Sequence, residues 1–376
     1  MISKAEFKER RSKLLSFLEE LSKRDDKSYK FAIKSGEAKN FSNDVFYPFR
    51  VDSDFYYLTG FKEANAVAVF DPNSEHPFTL YVEAVDPHHT IWEGHREGLE
   101  GAVKNFGADK AFDIDGFKEE NYPNHKEQEL TKFIHTLRSV KSEAEIALMQ
   151  KSADIAIQAH RVAKEIITPG IYEYEVEAKL NEVFRAQGAE GWAYPGIVAS
   201  GENSCVLHYI TNNEKIEKDD LILIDAGAQY QMYASDITRV HAASGEFTQE
   251  QKDVYDVVLE AQLKAIDTIK PGSGFQETND TVTAVIGEGL KNLGYIKDAL
   301  DPNQIKKYYM HSAGHSLGID VHDVGIERKV SKYVPGMVTT IEPGIYIKEK
   351  KIGVRIEDDI LVTADGNRNL TEALAK

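Results

Sequence analysis

Apolar residues near the amino terminus recur every three to four positions. From Phe7 to Leu21 they form one stripe between charged residues, which predicts an amphipathic helix. Ser3 and Glu6 stand in the capping-box relation that begins such a helix. Beyond it, short apolar runs bounded by Gly, Pro, Asn and Asp predict strands at residues 31–33, 55–58, 66–70 and 78–82. One helix followed by several strands predicts a small α/β domain.

A longer helical pattern begins near residue 142. Ser142 and Glu145 form a second capping box there, so we place the domain boundary at this point. Residues 1–140 are then the amino-terminal domain and residues 141–376 the second domain. The helix is predicted to end at the Thr-Pro-Gly of residues 168–170, because proline cannot continue the helical hydrogen bonds.

The second domain repeats its own pattern. Another long helix closes on Ile-Lys-Pro-Gly, 102 residues after the Ile-Thr-Pro-Gly that closes the first. A histidine-bearing segment and strands that end in acids follow each helix pair, with His208 and Asp225 in one half and His322 and Glu342 in the other. This order indicates an internal duplication with one site shared between the halves.

Two pairs of acids occupy matched positions in predicted hairpins. With each turn centred midway between its acids, Asp225 faces Asp236 and Glu342 faces Glu357. The Cβ atoms of such pairs lie about 4.5–5.5 Å apart, where two ionised carboxylates repel each other. Lys and Arg do not cluster in these strands to neutralise them, so the four acids suit divalent cations.

Three histidines lie within twelve residues of one another, at His311, His315 and His322. Imidazole nitrogen added to carboxylate oxygen favours Mn, Co, Zn or Fe over Mg or Ca. The spacing predicts a dinuclear hydrolase, in which two metals about 3.5–4 Å apart hold and activate a bridging water.

Composition narrows the class of partner and the compartment. The chain has 376 residues and a formal net charge of −17, which would repel nucleic acid and anionic membranes. It contains no apolar run of the ~18 residues that a membrane span needs, and its amino terminus does not resemble a signal peptide. We therefore expect a cytoplasmic protein that binds neither nucleic acid nor membranes.

The single cysteine, Cys205, excludes an internal disulfide and a zinc site built from several thiolates. It lies three residues before His208, which suggests a nucleophile, but an apolar buried thiol is the favoured interpretation. Any metal site must therefore use carboxylate and imidazole ligands.

Five motifs together resemble the metallopeptidases of the pita-bread fold, and in particular their aminopeptidase P (Xaa-Pro aminopeptidase) branch. They are Asp225-Ala-Gly, Ser235-Asp236-Ile-Thr-Arg239, His311-Ser-Ala-Gly-His315-Ser-Leu-Gly-Ile-Asp-Val-His322-Asp, Thr340-Ile-Glu342-Pro-Gly and Val354-Arg355-Ile-Glu357-Asp-Asp. The segment from Arg50 to Phe61 also resembles the amino-terminal domain of that branch. The resemblance implies an α+β protein, with a carboxy-terminal pita-bread domain and a smaller amino-terminal α/β domain.

The resemblance also implies two divalent ions per chain, most often manganese, with cobalt or zinc as alternatives. Asp225 would chelate one ion, Asp236 and Glu357 would bridge both, and His315 and Glu342 would complete the second. A metal-bridging water or hydroxide would then attack the Xaa-Pro bond at the amino terminus of a peptide.

Further residues receive roles from the same resemblance. Glu342 would carry a proton to the leaving nitrogen, while His322 and His208 would hold the tetrahedral intermediate. His311 would line the prolyl pocket, and Arg355 would tether the Asp236 side of the site, with a surface ion pair as the alternative. Trp92 resembles a tryptophan that reaches the active site of a neighbouring subunit, with an ordinary core aromatic as the alternative, so we expect a homo-oligomer.

Two other functions fit the same residues. Prolidase shares all five ligands but cleaves only Xaa-Pro dipeptides, and the loops that would close over a free substrate carboxylate are not identifiable in the sequence. A non-catalytic pita-bread binding protein is disfavoured, because such proteins lose ligands and all five are present here.

Overall fold

The structure is a computed structural model that describes residues 1–122, 127–325 and 332–376. The chain divides into two units, Met1–Arg138 and Ser139–Lys376, and each is described by itself. Both units contain helices and strands, which confirms the predicted α+β class.

A four-stranded sheet forms the centre of the first unit. The elements in chain order are α1 Lys4–Asp25, β1 Phe31–Lys34, β2 Asn40–Ser42, β3 Val45–Phe46, α2 Ser53–Thr59, β4 Val67–Phe70, β5 Phe78–Val82, α3 Pro87–Glu93, α4 Gly98–Phe106, β6 Lys110–Asp113 and α5 Glu127–Ser139. The strand order is β1-β4-β5-β6, with β5 and β6 parallel and the other pairs antiparallel.

The strand predicted at residues 55–58 is wrong, because this segment belongs to helix α2. Asp52 caps the helix by accepting a hydrogen bond from the Phe55 backbone N–H, and Gly60 ends it in the left-handed conformation. The four side chains are buried, so an apolar run of this length did not distinguish a buried helical turn from a strand.

The second unit begins with a helix pair and a set of short strands. The elements are α6 Glu143–Ile166, α7 Glu173–Ala186, β7 Gly191–Trp192, β8 Ile197–Ser200, β9 Leu221–Asp225, β10 Ala228–Tyr230, β11 Tyr233–Ala234 and β12 Thr238–Ala242. Both halves of the Ser142–Glu145 capping box are formed at the start of α6, as predicted.

A second helix pair and a second set of strands complete this unit. They are α8 Gln249–Thr268, α9 Phe275–Asn292, α10 Pro302–Ile305, β13 Val338–Ile341, β14 Gly344–Ile347, β15 Ile352–Arg355, β16 Asp358–Val362 and β17 Asn367–Asn369. None of the helices in the described ranges is both long and apolar enough to cross a membrane.

The first acid-bearing hairpin has a different register from the predicted one. Asp225 pairs with Thr238 rather than with Asp236. The turn residues are Gln231 and Met232, with φ values of 48° and 75°, as a two-residue turn of a twisted hairpin requires. The pairing is therefore shifted by two positions, which keeps Asp225 and Asp236 on the same face of the hairpin because side chains alternate with a period of two.

The second hairpin has the predicted register. Ile341 pairs with Asp358, and Gly344 pairs with Arg355. The same register sets Glu342 opposite Glu357, between the two ladders. The sequence pattern therefore predicted the register of the second hairpin correctly, whereas its predicted register for the first hairpin was wrong by two positions.

Strand β9 lies between the two helix pairs. Leu221 and Leu223 belong to an apolar cluster with side chains of α8 and α9, whereas Ile222 and Ile224 belong to a cluster with side chains of α6 and α7. Both faces of the strand are therefore buried, and its last residue, Asp225, lines a cavity.

Candidate metal centre and active-site cavity

The five predicted metal ligands line one cavity in the second unit. Its volume is about 430 Å³. Its lining residues are Tyr194, Pro195, Ile197, Leu207, His208, Ile210, Asp225, Asp236, His311, His315, Val321, His322, Glu342, Arg355 and Glu357. Every site residue predicted in residues 141–376 is therefore in this cavity.

Three of the ligands form a compact group. One ligand atom each from Asp236, His315 and Glu357 lies within 4.8 Å of the other two. His315 Nε2 is 3.4 Å from Asp236 Oδ2 and 3.5 Å from Glu342 Oε1. Acids from both hairpins thus converge on one imidazole nitrogen.

The backbone fixes which nitrogen of His315 faces the acids. Its Nδ1 lies 3.0 Å from the carbonyl oxygen of Ser316, to which it donates, so Nε2 is left as the ligand atom. The segment lies close to β13, because a Cβ on Gly314 would come within 1.9 Å of the Thr340 carbonyl oxygen. The glycine between the two histidines of this motif is therefore required by packing.

Thr238 and Arg355 connect the two hairpins. The Thr238 hydroxyl donates to Glu357 Oε2 at 2.6 Å and accepts from Arg355 Nε at 3.1 Å. Arg355 also donates to Asp225 Oδ2 at 2.6 Å. It is 4% exposed, which excludes a surface ion pair, and it contacts Asp225 rather than the predicted Asp236 side.

Sequence reasoning missed Tyr194. Its hydroxyl lies 2.6 Å from Asp225 Oδ1 and 2.6 Å from Asp236 Oδ1, so it spans the two acids of the first hairpin. The ring packs close to Gly227, where a Cβ would be 2.9 Å from a ring carbon. A lone tyrosine in a Gly- and Pro-containing segment carries no spacing signal, and only the tertiary fold brings it to the acids.

Burial dominates the electrostatics of the site. It raises the pKa of Asp236 and Glu342 and, together with the neighbouring charge of Asp236, holds the pKa of Glu357 well above its usual range. Burial would lower the pKa of His315, but hydrogen bonding to Asp236 and the charge of Glu342 raise it to about 9. Several carboxylates that resist ionisation, grouped around one imidazole, form a donor set that fits divalent cations.

The other cavity histidines differ in their surroundings. His311 Nε2 is 2.8 Å from the Tyr346 hydroxyl, and burial followed by the charge of Arg355 lowers the His311 pKa to about 4. The His322 ring packs edge-on against His315, with centroids 4.4 Å apart, and burial and the charge of His315 lower its pKa. His208 is exposed at the rim.

The loop that carries His208 is fixed by Glu173, which sequence reasoning also missed. This buried carboxylate accepts from the backbone N–H of Ser200 at 2.7 Å and of Glu214 at 2.9 Å, and from the Tyr209 hydroxyl at 2.7 Å. Both ends of the loop are thereby anchored to the start of α7.

Two residues considered from the sequence lie outside this cavity. Trp92, in α3 of the first unit, is 78% exposed, so the core-aromatic alternative is wrong. Burial raises the pKa of the Cys205 thiol to about 11, which keeps it protonated at neutral pH and supports the interpretation of an unreactive cysteine.

Comparison with known proteins identifies the family. The model of metallopeptidase family M24 matches residues 147–364, and the model of the aminopeptidase P N-terminal domain matches residues 7–131. A Xaa-Pro aminopeptidase of Haemophilus influenzae is 35% identical, with 100% of this chain and 96% of the relative covered.

Solved structures agree with this result. The aminopeptidase PepP of Pseudomonas aeruginosa aligns with a TM-score of 0.90 and 36% identity, and zinc-substituted Escherichia coli aminopeptidase P in complex with product aligns with a TM-score of 0.90 and 33% identity. Each alignment covers 100% of this chain and 96% of the neighbour. The chain therefore belongs to the aminopeptidase P branch of metallopeptidase family M24, with the pita-bread fold predicted from its motifs.

Proposed function

We propose that this protein hydrolyses the Xaa-Pro bond at the amino terminus of peptides and depends on two divalent metal ions. The observation that carries the proposal is the convergence of Asp236, His315 and Glu357 in a buried group whose ligand atoms lie within 4.8 Å of one another. Relatives named Xaa-Pro aminopeptidase, similar over the whole chain, support the substrate class.

The five ligands divide between the ions as the family resemblance implies. Asp225, Asp236, His315, Glu342 and Glu357 would hold the two ions, with Asp225 assigned to one ion, Asp236 and Glu357 shared, and His315 and Glu342 assigned to the other. When bound, the ions supply Lewis-acid polarisation of the scissile carbonyl and an activated water as the nucleophile. We propose manganese as the native metal, with cobalt or zinc as alternatives.

Glu342 moves the proton in this mechanism. Its carboxylate lies 3.5 Å from His315 at the cavity wall, and burial raises its pKa above the ordinary value, which favours uptake of a proton by this carboxylate. It would deliver that proton to the proline nitrogen as the bond breaks. The scissile amide is tertiary, so the leaving nitrogen must gain a proton that it did not carry in the substrate.

The remaining side chains bind and orient the substrate. His322 and His208 lie at the cavity rim, where they can donate hydrogen bonds to the tetrahedral carbonyl oxygen. His311 and Arg355 line the wall that would receive the proline ring. Because the Xaa-Pro amide has no N–H to offer, selection must rest on ring packing, which the apolar Pro195 and Ile197 of the lining can supply, and on carbonyl contacts, which the cavity histidines can supply.

Two finer properties belong to the same proposal. The exposed Trp92 supports a homo-oligomer in which this side chain is covered by a neighbouring subunit. The single cysteine and the absence of an apolar run of membrane-spanning length support a cytoplasmic location.

A peptide panel tests the function. The purified protein, dialysed against chelator and reloaded with Mn, Co or Zn, is assayed with Xaa-Pro-Xaa tripeptides, with Xaa-Pro dipeptides and with Xaa-Ala-Xaa tripeptides. We expect release of the first residue from the Xaa-Pro-Xaa peptides only when metal is present. Turnover of the dipeptide alone would assign a prolidase, and no turnover of any peptide with any metal would contradict the proposal.

A further inference from the structure

Lys141 and Asp323 form a buried ion pair in the second unit. The Lys141 side chain is 2% exposed and that of Asp323 is 1% exposed, and Nζ lies 3.1 Å from Oδ2. Lys141 is also fixed through its backbone, because its N–H donates to the Gly336 carbonyl oxygen at 2.8 Å. The ammonium therefore sits at a defined point rather than on a mobile surface side chain.

A pair buried this completely is a costly way to stabilise a fold. Burying an ion pair carries a desolvation penalty that an exposed ion pair does not carry. Well-packed apolar residues at the same positions often give the folded state equal or greater stability. We therefore explain this pair by the segment that it fixes in place, which is the loop around Asp323.

Asp323 closes the Ser316–Asp323 loop. Its backbone N–H donates to the Ser316 carbonyl oxygen at 2.9 Å, which joins the two ends of the loop. The carboxylate and the Lys141 stem pack against Gly318, where a Cβ would lie 2.1 Å from Asp323 Oδ2 and 2.9 Å from Lys141 Cε. The loop thus has no room to shift around the ion pair.

His322 directly precedes Asp323 in this loop. Its ring packs against the ligand His315 and lines the active-site cavity. Within residues 1–122, 127–325 and 332–376, the His322 ring makes this contact with His315 but no hydrogen bond, so its orientation depends on that contact and on the backbone that carries it. That backbone is held at Asp323.

We propose that Lys141 is a positioning residue, whose buried ion pair with Asp323 fixes the Ser316–Asp323 loop so that the His322 ring faces the carbonyl undergoing hydrolysis. The inference rests on the proposed function, because it assigns a purpose to the orientation of His322. Among the described residues, no hydrogen bond or ion pair joins the Lys141 side chain to a proposed metal ligand; its ammonium contacts Asp323 and the Ser139 carbonyl oxygen.

The test compares K141M with the wild type. Methionine keeps an unbranched apolar stem and removes the ammonium. We expect kcat on a Xaa-Pro-Xaa peptide to fall about 10- to 100-fold, the range for residues that orient a functional group, with KM changed less than about threefold. K141R keeps the charge and should recover most of the lost kcat. V254A, a truncation in the α8 core, lowers stability at a distance from the loop and should leave kcat unchanged.

A double-mutant cycle with H322A separates positioning from general damage. If Lys141 acts through His322, K141M should lower kcat much less in the H322A background than in the wild type. Equal losses in both backgrounds would overturn the proposal, as would a wild-type kcat for a folded K141M or a loss in V254A as large as that in K141M.

Hydrogen exchange gives a readout that does not depend on activity. In metal-free protein, K141M should speed exchange in a peptide that covers residues 316–323, since the Asp323 N–H loses its fixed geometry, while V254A should not. Unchanged exchange would contradict the inference even in an active enzyme. An inactive wild type with faster exchange in K141M would instead refute the proposed function and leave the loop assignment standing.

Discussion

The two halves of the second unit share their helices more closely than their hairpins. Helices α6 and α8 end at Ile166 and Thr268, and helices α7 and α9 begin at Glu173 and Phe275. Both pairs of positions are 102 residues apart, the same interval as the Pro-Gly motifs. This agreement supports the duplication predicted from the sequence.

The hairpins of the two halves differ in register. Glu342 and Glu357 stand directly opposite each other, whereas Asp225 stands opposite Thr238 and is staggered by two positions from Asp236. The residue opposite the strand-end acid is therefore Thr238, a hydroxyl, in the first half and Glu357, an acid, in the second half. That hydroxyl donates to Glu357, so the stagger adds one hydrogen bond to the contacts that join the halves.

The first helices of the two halves also carry matched polar residues. His160 in α6 and Gln262 in α8 are both buried and are again 102 positions apart. His160 Nε2 lies 3.0 Å from the Ala226 carbonyl oxygen, and Gln262 Nε2 lies 3.4 Å from that of Ile341. Each thus contacts the residue beside an acid of its own half, but only the histidine can change its charge with pH.

The largest expected effect comes from removing one shared acid from either half. D236A and E357A should each lower kcat/KM by about 1000-fold or more, because each would remove a ligand that we propose is common to both metals. Steady-state kinetics at saturating manganese measures the loss. D256A, which removes an exposed acid of α8, is the control. Retention of a tenth of the activity by either variant would show that its half is dispensable.

A smaller loss should follow when the connection between the halves is cut. T238V keeps the shape of the side chain but removes the hydroxyl between Glu357 and Arg355, and we expect a 10- to 100-fold loss of metal affinity or activity. T283V, which removes a hydroxyl bonded only within α9, is the matched control. An unchanged metal affinity in T238V would mean that the cross-hairpin hydrogen bond does not orient Glu357.

Tyr194 offers a contact that belongs to the first half alone. Y194F removes the hydroxyl that lies 2.6 Å from both Asp225 and Asp236, and we expect about a tenfold loss of kcat/KM, at the low end of the range for such contacts. Y230F, which removes a tyrosine hydroxyl from strand β10, is the control and should leave kcat/KM unchanged. If Y194F were as active as the wild type, the remaining contacts of Asp225 with Arg355 and of Asp236 with His315 would be sufficient to hold these acids.

The smallest effect concerns pH and the His160–Gln262 pair. Burial lowers the pKa of His160 to about 4 from an ordinary value near 6.5, so the folded state binds this proton less readily than the unfolded state. The stability contributed by burying the neutral His160 imidazole is therefore present above pH 6.5 and is lost as the pH falls towards 4.

H160Q introduces the residue found at the matching position 262 of the second half and should remove this loss of stability at acid pH. At pH 5 the expected gain relative to the wild type is about 2 kcal/mol in the free energy of unfolding, after correction for the difference at pH 7.5. Urea unfolding at both pH values measures it. Equal acid sensitivity in the two proteins would contradict the account.

The sequence predicted the features that depend on local rules. Capping residues and Pro-Gly stops located the long helices, and motif spacing named the acids and histidines of the cavity. The register of the second hairpin followed from counting because its longer turn, at residues 348–351, is centred midway between Glu342 and Glu357.

Features that depend on tertiary contacts were missed. The turn at Gln231 and Met232 requires two left-handed residues of types that seldom adopt this conformation, and the sequence therefore did not indicate it. The predicted turn centre was one residue too early, which shifted every pairing partner by two positions. Tyr194 and Glu173 act through contacts with segments distant in the chain, and neither lies in a motif that spacing can detect.

The central claim is that the two halves build one centre for two metal ions. Equilibrium dialysis of chelator-treated protein against manganese, followed by elemental analysis, measures the number of ions per chain. We predict close to two for the wild type and less than one for D236A and for E357A alike. Less than one ion in the wild type, or an unchanged number in either variant, would contradict the claim.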